Sequence, residues 1–384
     1  MKPHENDSTE IAEALAREFA QHAAAHDRDG SFPFENFDRL SAAGLAALTV
    51  PREYGGRGAR LFETCAVIGA IARGDASTAL VLTMQYVAHA LLSVNPRWPR
   101  HLIERVSRDA VEQGAFINHL RVEPELGTPA RGGLPATVAT VQSGGWLISG
   151  HKLYSTGIPL LSWLAVWGRT DEEKPRVGIW LVPADTAGIQ VIESWDHLGM
   201  RASASHEVIL SAVQVPADHA VDVRLPSQWA LPDASESAWF TLPIAALYDG
   251  VARAARDWLV RYLIERTPSN LGAPLSTLPR FQEAVGEIDG KLLTNQILIR
   301  TAAERADWGK PPSAHENGLI KLTVTTNAIE VVQRAVALVG NPGLSRHNPL
   351  ERYYRDVLCS RVHTPQNDSI VLNAGRAAFE AISN

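Results

Sequence analysis

A run of small residues stands directly before a predicted strand in the second half of the chain. The segment LGMRASASHEVILSAVQVP covers residues 198–216, and its second part is rich in residues that favour strands. In its first part, Ser203 and Ser205 would offer hydroxyl groups to any ligand that approaches the backbone there. A tight turn at the start of the strand explains the same small residues. The residue types therefore suggest either a turn or a place of close contact with a ligand.

Two histidines and one threonine also carry side chains that could take part in chemistry. His363 lies in RVHTPQND and His89 in the apolar run TMQYVAHALL. An imidazole can accept or donate a proton near neutral pH. Thr156, in HKLYSTG, could donate a hydrogen bond to a ligand. Each also has a plainer explanation, because a loop histidine, a buried helix histidine satisfied by a neighbour and a strand threonine need no function.

The composition is that of a soluble globular protein and argues against several classes of function. The chain has 384 residues, of which 45% are apolar and 20% charged, so two or three cooperating domains are expected. A net charge of −6 argues against a general nucleic-acid binder. The only cysteines, Cys65 and Cys359, form no CxxC pair, so neither a disulfide framework nor a metal site is expected.

No targeting segment or membrane span is expected. The first thirty residues are polar and charged, unlike a signal peptide. No run of about 18 apolar residues occurs anywhere in the chain. Together with the scarcity of cysteines, these features predict a cytoplasmic protein that does not associate with membranes.

The first part of the chain, residues 1–110, is predicted to be a helical domain. Apolar residues recur there with helical spacing. A long apolar run between residues 61 and 94 predicts a pair of buried helices. The break near Gly74 favours Asp75 or Ser77 as the cap of the second helix.

The remaining two parts of the chain have different sequence patterns. In residues 111–225, short β-type runs alternate with Gly, Pro or Asp, which predicts a small antiparallel β-barrel or sandwich. In residues 235–384, long amphipathic segments predict a four-helix bundle. The expected fold class is α+β, mainly α, in the order helical, β, helical.

Four segments, in this order, resemble the acyl-CoA dehydrogenase superfamily along nearly the whole chain. They are LSAAGLAALTVPREYGG, ISGHKLYSTG, LGMRASASHEVILSAVQVP and NPGLSRHNPLERYYRD. The resemblance implies a flavin, usually FAD, between the β-domain and the bundle, and usually a homotetramer. It also implies that the small residues before the strand admit flavin and substrate, with Ser203 and Ser205 near the substrate.

The resemblance assigns several residues to the flavin. Thr156 matches the family's flavin-contacting hydroxyl, and Tyr154 and Ser155 stand beside it. Glu123 and Thr128 belong to a loop that normally touches flavin and thioester, and Arg131 in the same loop is an unusual residue expected to meet the substrate, although simple loop drift would also explain it. Two further candidates are Arg266, for the flavin diphosphate, and Gly340, for the adenine end, although Arg266 could equally be a solvated arginine at a helix end. The usual adenine-end residues are changed around them, which leaves FMN open as the flavin.

The catalytic base of the family's dehydrogenases has no clear counterpart. That chemistry needs a carboxylate to remove the proton α to a thioester. The matching C-terminal position is Thr364, preceded by His363, and the alternative position on the first bundle helix is Phe240, one turn after Glu236. Glu236 and Asp368 are therefore the nearest carboxylate candidates, and each could instead be a solvated or capping residue.

Three functions follow from the resemblance. The first is oxidation of an acyl-CoA thioester at Cα–Cβ, with hydride transfer to flavin and an electron-transfer flavoprotein as partner. The second is a reduced-flavin-dependent monooxygenase that acts on an aromatic or heterocyclic compound, with a flavin reductase as partner and a peroxyflavin near His363. The third is a scaffold or partner subunit that kept the fold without catalysis. His89 is expected to face the substrate pocket in either enzyme.

Overall fold

The computed structural model describes residues 3–127, 132–229 and 233–383. Its first part is helical, as expected. The helices are α1 (Pro3–Phe19), α2 (Ala23–Asp29), α3 (Phe34–Ala42), α4 (Leu61–Gly74), α5 (Ala76–Leu92) and α6 (Arg100–Glu112). Thr128 and Arg131, two of the residues assigned above, lie outside the described residues.

Helices α4 and α5 form the predicted buried pair at the centre of the molecule. Asp75 is the N-cap of α5, and its carboxylate accepts a hydrogen bond from the backbone N–H of Ser77 over 2.9 Å. This confirms Asp75 as the cap, since the side chain satisfies a backbone donor that the first helical turn leaves free. Nearly every residue of α5 is buried, because α5 packs against α4, against the central sheet and against the first helix of the C-terminal part.

The central part is one mixed sheet. Its strands are β1 (Phe116–Leu120), β2 (Val138–Gln142), β3 (Gly145–Ser155), β4 (Leu161–Thr170), β5 (Val177–Pro183), β6 (Ile189–Ile192), β7 (His206–Pro216) and β8 (Ala220–Arg224). The order is β6-β7-β3-β2-β4-β5-β8, with β1 paired to β4. The sheet does not close on itself, so the barrel form of the expectation is wrong. It is also not purely antiparallel, because β1 and β2 both run parallel to β4.

Long helices return in the C-terminal part. They are α7 (Ala234–Glu265), α8 (Pro279–Asp307), α9 (Ala314–Val339), α10 (Asn341–Leu344), α11 (Leu350–Leu358) and α12 (Asn367–Ser383). Helices α7, α8 and α9 pack against one another, and α11 and α12 pack on α9. This confirms the helical, β, helical order of the α+β fold.

Arg355 on α11 ties the three parts of the chain together. Its guanidinium donates to both carboxylate oxygens of Asp27, at 2.9 and 2.6 Å, and to the carbonyl of Leu198 at 2.9 Å. Glu351, one turn earlier on α11, accepts two further hydrogen bonds from the same side chain. A planar, bidentate donor suits such a junction, because it fixes the orientation of each partner.

Candidate active site

Three hydroxyl groups form a chain where β3 ends. Thr156 Oγ1 lies 2.9 Å from Ser205 Oγ, which lies 2.8 Å from Ser203 Oγ. Gly157 donates its backbone N–H to the carbonyl of Ser203 and adopts φ +75°, a conformation that favours glycine. A Cβ at Gly157 would also meet Val81 of α5 at 2.7 Å. The sequence motifs LYSTG and RASAS therefore form one compact site, although they lie about fifty residues apart.

Strained backbone accompanies this chain of hydroxyls. Tyr154, Met200 and Ala204 all have positive φ, at 56°, 53° and 42°. Such conformations cost L-residues on the order of 1 kcal/mol or more, and they cluster at functional sites. The small residues of RASAS thus serve the turn, and close approach of a ligand there stays a prediction.

Three further side chains lie around the turn at Thr156. Asn118 in the middle of β1 donates from Nδ2 to the carbonyl of Thr156 over 3.0 Å. Ser155 is buried, and its hydroxyl has no partner among the described residues. Tyr154 is 52% exposed and packs edge-on against Trp195 and His197. The turn therefore presents hydroxyls on one side and an aromatic ring on the other.

His363 is held by a buried tyrosine. Its Nδ1 lies 2.8 Å from the hydroxyl of Tyr248, a fully buried residue of α7. Burial, and then the charges of Cys359 and Asp356, raises the pKa of Tyr248 well above its usual value. Burial, and then the nearby ammonium of Lys321, lowers the pKa of His363 to about 4. At neutral pH the pair therefore consists of a phenol and an uncharged imidazole.

The carboxylate candidates lie at helix starts. Glu236 is exposed in the first turn of α7, where it forms a capping box with Asp233. Along α7 it is twelve residues, about 18 Å at 1.5 Å per residue, from the Tyr248 that contacts His363. Asp368 is exposed in the first turn of α12 and accepts the N–H of Ser369. Thr364 is also exposed.

Glu123 has a structural environment inside the β-domain. It is 1% exposed and accepts hydrogen bonds from Lys152 Nζ at 2.6 Å and from the backbone N–H groups of Ala136 and Thr137. Burial favours the neutral acid, but Lys152 and these donors outweigh it and hold the pKa of Glu123 below its usual range. The carboxylate that the resemblance assigned to the cofactor thus already has three donors within the protein.

The other assigned residues are spread over the surface and the core. Arg266 is exposed just after α7, and Gly340 is exposed at the end of α9 with φ +67°. His89 is fully buried on α5, neither ring nitrogen has a hydrogen-bond partner among the described residues, and burial lowers the pKa of His89 to about 3. The described part of the chain therefore contains no neighbour that accepts a hydrogen bond from the His89 ring or donates one to it.

Comparison with known proteins identifies the family. Three family models match the chain: acyl-CoA dehydrogenase N-terminal domain at residues 4–94, middle domain at 122–213 and C-terminal domain at 240–366. The chain belongs to the acyl-CoA dehydrogenase family. Over 369 residues it is 34% identical to a putative acyl-CoA dehydrogenase, YdbM, of Bacillus subtilis, covering 96% of this chain and 95% of that protein.

Within the acyl-CoA dehydrogenase family, other similar proteins carry different names. The chain is 29% identical to L-evernosamine nitrososynthase of a Micromonospora species, over 92% of this chain and 86% of that protein. It is 30% identical to KijD3, whose structure in complex with FMN and a dTDP-3-amino-4-keto sugar superposes with a TM-score of 0.86 over 99% of this chain and 95% of that one. This flavoprotein oxidoreductase family therefore includes relatives of more than one reaction type.

The residues around Thr156 fit a flavin of the kind this family uses. A flavin ring needs hydrogen-bond donors at its nitrogen and carbonyl positions, and hydroxyls and backbone N–H groups supply them. Thr156, Ser205 and the unpartnered hydroxyl of Ser155 provide such donors in one place.

No group of three or more metal-binding side chains occurs among the described residues, nor do these residues contain a helix long and apolar enough to cross a membrane.

Three residues of this site were not singled out in the sequence. They are Asn118, Tyr248 and Lys321. Lys321 had a usable signal: it stands at helical spacing among the buried residues Asn317, Val324 and Ala328 of α9, where an unpaired charge is costly. Asn118 and Tyr248 had none, because polar residues in buried strands and helices usually serve packing or hydrogen bonding alone.

Proposed function

We propose that the protein is a reduced-flavin-dependent monooxygenase of the acyl-CoA dehydrogenase family. The pair formed by Tyr248 and His363 carries this proposal. His363 directly precedes Thr364, which by resemblance matches the position of the carboxylate base in the family's dehydrogenases. The reaction would pass one oxygen atom of dioxygen to the substrate and the other to water. A bound reduced flavin would supply the two electrons.

Among the described residues, the positions of the two carboxylate candidates, Glu236 and Asp368, support oxygenation over acyl-CoA oxidation. Thr364 has a hydroxyl that cannot act as a base near neutral pH. Glu236 caps α7 about 18 Å from Tyr248, and Asp368 is exposed in the first turn of α12. Neither geometry suits removal of a proton beside a buried flavin.

The hydrogen bond to Tyr248 defines which nitrogen of His363 carries the proton. The phenol is protonated and has Nδ1 as its only hydrogen-bond partner among the described residues, so it donates to Nδ1. The proton of the neutral imidazole is then on Nε2. His363 thus offers an N–H donor rather than a positive charge, which suits stabilisation of negative charge as it develops on a reacting oxygen.

The relatives indicate the flavin and the kind of substrate. KijD3 is described with FMN, and the exposed positions of Arg266 and Gly340 give no built adenine site within one chain, so we propose FMN delivered by a flavin reductase. The nitrososynthase name and the amino-sugar ligand of KijD3 favour an amine nitrogen as the atom that is oxygenated. A nucleophilic nitrogen is also the chemically suitable acceptor for an electrophilic oxygen.

Stopped-flow absorbance tests the proposal in two arms. In the first, protein loaded with oxidised flavin is mixed anaerobically with a saturated acyl-CoA, and the flavin absorbance should stay unchanged. In the second, protein loaded with reduced FMN is mixed with dioxygen, and a transient absorbing species should precede oxidised flavin. His363→Leu, which removes the N–H donor, should shorten the life of this species at least tenfold, since one hydrogen bond to a charged group contributes about 1.5–3 kcal/mol.

His347→Leu is the matched control, because His347 is exposed and lies outside the site. It should leave the transient unchanged. Rapid bleaching by the acyl-CoA would contradict the proposal and restore the dehydrogenase function with an electron-transfer flavoprotein as partner. A protein that binds no flavin and gives neither signal would support the non-catalytic scaffold.

A further inference from the structure

Lys321 is a buried lysine whose ammonium group binds three backbone carbonyls. It lies on α9 with 0% exposure. Its Nζ donates to the carbonyl oxygens of Ser360 at 3.1 Å, His363 at 3.0 Å and Pro365 at 3.0 Å. All three acceptors belong to the short segment that joins α11 to α12. This segment therefore folds around one side chain of another helix.

The ammonium group has no counter-ion in the described part of the chain. An ammonium carries three donors, and here each donor has a carbonyl partner, so its hydrogen bonding is complete. No ion pair of Lys321 with a carboxylate occurs among the described residues. Burying an unpaired ammonium costs several kcal/mol, and a neutral donor could hold a loop at lower cost. A positive charge at this position therefore calls for a further explanation.

We propose that Lys321 is the positioning residue of His363: its three hydrogen bonds fix the segment that presents the imidazole Nε2–H to the flavin site. This inference rests on the proposed function both for the flavin that Nε2–H would face and for the use of that N–H, whereas the three hydrogen bonds of Lys321 to the segment do not depend on it. The positive charge of Lys321 adds an electrostatic effect. Lys321 binds the backbone carbonyl of His363, and its charge disfavours a positive charge on the nearby imidazole. Lys321 and Tyr248 thus both contact His363, Lys321 through the backbone carbonyl and Tyr248 through Nδ1.

Few other titratable groups influence this arrangement. Tyr248 faces His363 from α7. Asp356 on α11 and Cys359 just after it both act on Tyr248, and burial raises the pKa of Asp356 to about 7 and that of Cys359 to about 12. Burial lowers the pKa of Lys321 itself to about 8. Among the groups around His363, a proton lost near pH 8 belongs to Lys321 and one lost near pH 7 to Asp356. Burial also lowers the pKa of Lys152 in the β-domain to about 8, so only a change measured at His363 itself reports on Lys321.

Histidine NMR on ¹⁵N-histidine-labelled protein tests the inference without any need for catalysis. The His363 signals are assigned by their disappearance in His363→Gln. In the unmodified protein they should show a neutral ring with the proton on Nε2 from pH 5.5 to 7.5. In Lys321→Gln, which keeps donor groups but no charge, the pKa of His363 should rise from about 4 toward its ordinary 6.5.

Lys291→Gln provides the control, because Lys291 is a partly exposed lysine of α8 that pairs with Glu330. It should leave the His363 titration unchanged. An unchanged pKa and tautomer of His363 in folded Lys321→Gln would overturn the inference. If that variant does not fold, the unmodified protein still decides: the His363 signals should shift with a midpoint near pH 8, where Lys321 loses its proton, and their constancy through pH 8 would refute the coupling.

A kinetic measurement separates this inference from the proposed function. The oxygen-dependent transient of the unmodified protein should lose lifetime as the pH rises through about 8, and this step should be missing from the pH profile of Lys321→Gln. A protein without any transient but with the expected NMR shifts would refute the monooxygenase and leave Lys321 as the residue that positions His363. A protein that shows the transient but not the expected NMR shifts would support the monooxygenase and show that Lys321 does not position His363.

Discussion

The backbone N–H of Met200 donates to Oδ1 of Asp356 over 2.7 Å, which joins two segments 156 residues apart. Met200 begins the turn before Ser203, and Asp356 lies on α11 just before the segment that carries His363. Asp356 is 4% exposed, and burial raises the pKa of its carboxyl to about 7 against the opposing effects of the Met200 N–H and Arg352. The hydrogen bond between Met200 and the titratable carboxyl of Asp356 therefore connects the turn that carries Ser203 and Ser205 to the helix before His363.

This contact predicts a pH-dependent stability. Between the ordinary pKa of 3.8 and the folded value of about 7, the folded protein keeps a proton on Asp356 that the unfolded chain has released. The stability that this proton provides is complete below pH 3.8 and is lost as the pH rises to about 7. The amide introduced by Asp356→Asn does not titrate. As the pH rises through that window, the free energy of unfolding of Asp356→Asn minus that of the unmodified protein should therefore increase by up to about 1.4 kcal/mol per pH unit.

Urea unfolding at pH 4.5, 5.5, 6.5 and 7.5 measures this difference. Asp38→Asn is a suitable control, because Asp38 is exposed on α3, and its difference from the unmodified protein should not change with pH. A constant difference for Asp356→Asn as well would mean that the carboxyl is ionised throughout.

The ion pair of Glu123 and Lys152 should contribute strongly to the stability of the sheet. Both side chains are buried, with 1% and 0% exposure, and the N–O distance is 2.6 Å. Glu123→Gln leaves the Lys152 ammonium without its counter-ion, which should lower the free energy of unfolding by about 3–5 kcal/mol. Glu330→Gln, which breaks the exposed pair with Lys291, should cost no more than about 1 kcal/mol.

Flavin titration of the same variant tests the role that the resemblance implied for Glu123. Folded Glu123→Gln should bind flavin with nearly unchanged affinity at a temperature well below its unfolding transition. A large loss of flavin affinity without a loss of stability would indicate that Glu123 contacts the cofactor.

The sequence predicted the order of helical and β parts and the Asp75 cap, because these depend on local periodicity and capping chemistry. It did not predict that the sheet is open and mixed, since strand order depends on pairings between distant residues. The partners of Glu123 and His363 were hidden for the same reason. Lys152 lies 29 residues from Glu123, and Tyr248 lies 115 residues from His363. Motifs identify such residues, but only the fold shows what each of them contacts.

The protein is predicted to be a homotetramer, as the family resemblance implies. The apolar residues Val324, Ala328 and Val332 of α9 are buried within the chain, so this face of α9 does not meet another copy. Apolar side chains are instead exposed on α8, at Leu293 and Ile297, and on α12, at Val371 and Leu372. Adjacent exposed apolar residues on helices are typical of protein interfaces.

Light scattering at micromolar concentration should give about four times the chain mass of 41.7 kDa. Leu293→Lys with Ile297→Lys should lower this mass if α8 lies in the interface, while Lys310→Glu, an exposed change beyond the end of α8, should not. A monomeric unmodified protein would contradict the prediction.

Thr156 should contribute directly to flavin binding. Thr156→Val keeps the shape of the side chain but removes the hydroxyl that bonds Ser205. Because a net hydrogen bond contributes about 0.5–1.5 kcal/mol, the flavin dissociation constant should rise by roughly two- to tenfold. Thr156→Ser keeps the hydroxyl and should bind flavin like the unmodified protein. Thr186→Val is a second control, because Thr186 bonds only the carbonyl of Pro183 at the far end of β5. Equal flavin affinity and equal reduction potential in Thr156→Val and Thr156→Ser would show that the hydroxyl only organises the turn with Ser203 and Ser205, and that the flavin takes its hydrogen bonds from backbone N–H groups or from Ser155.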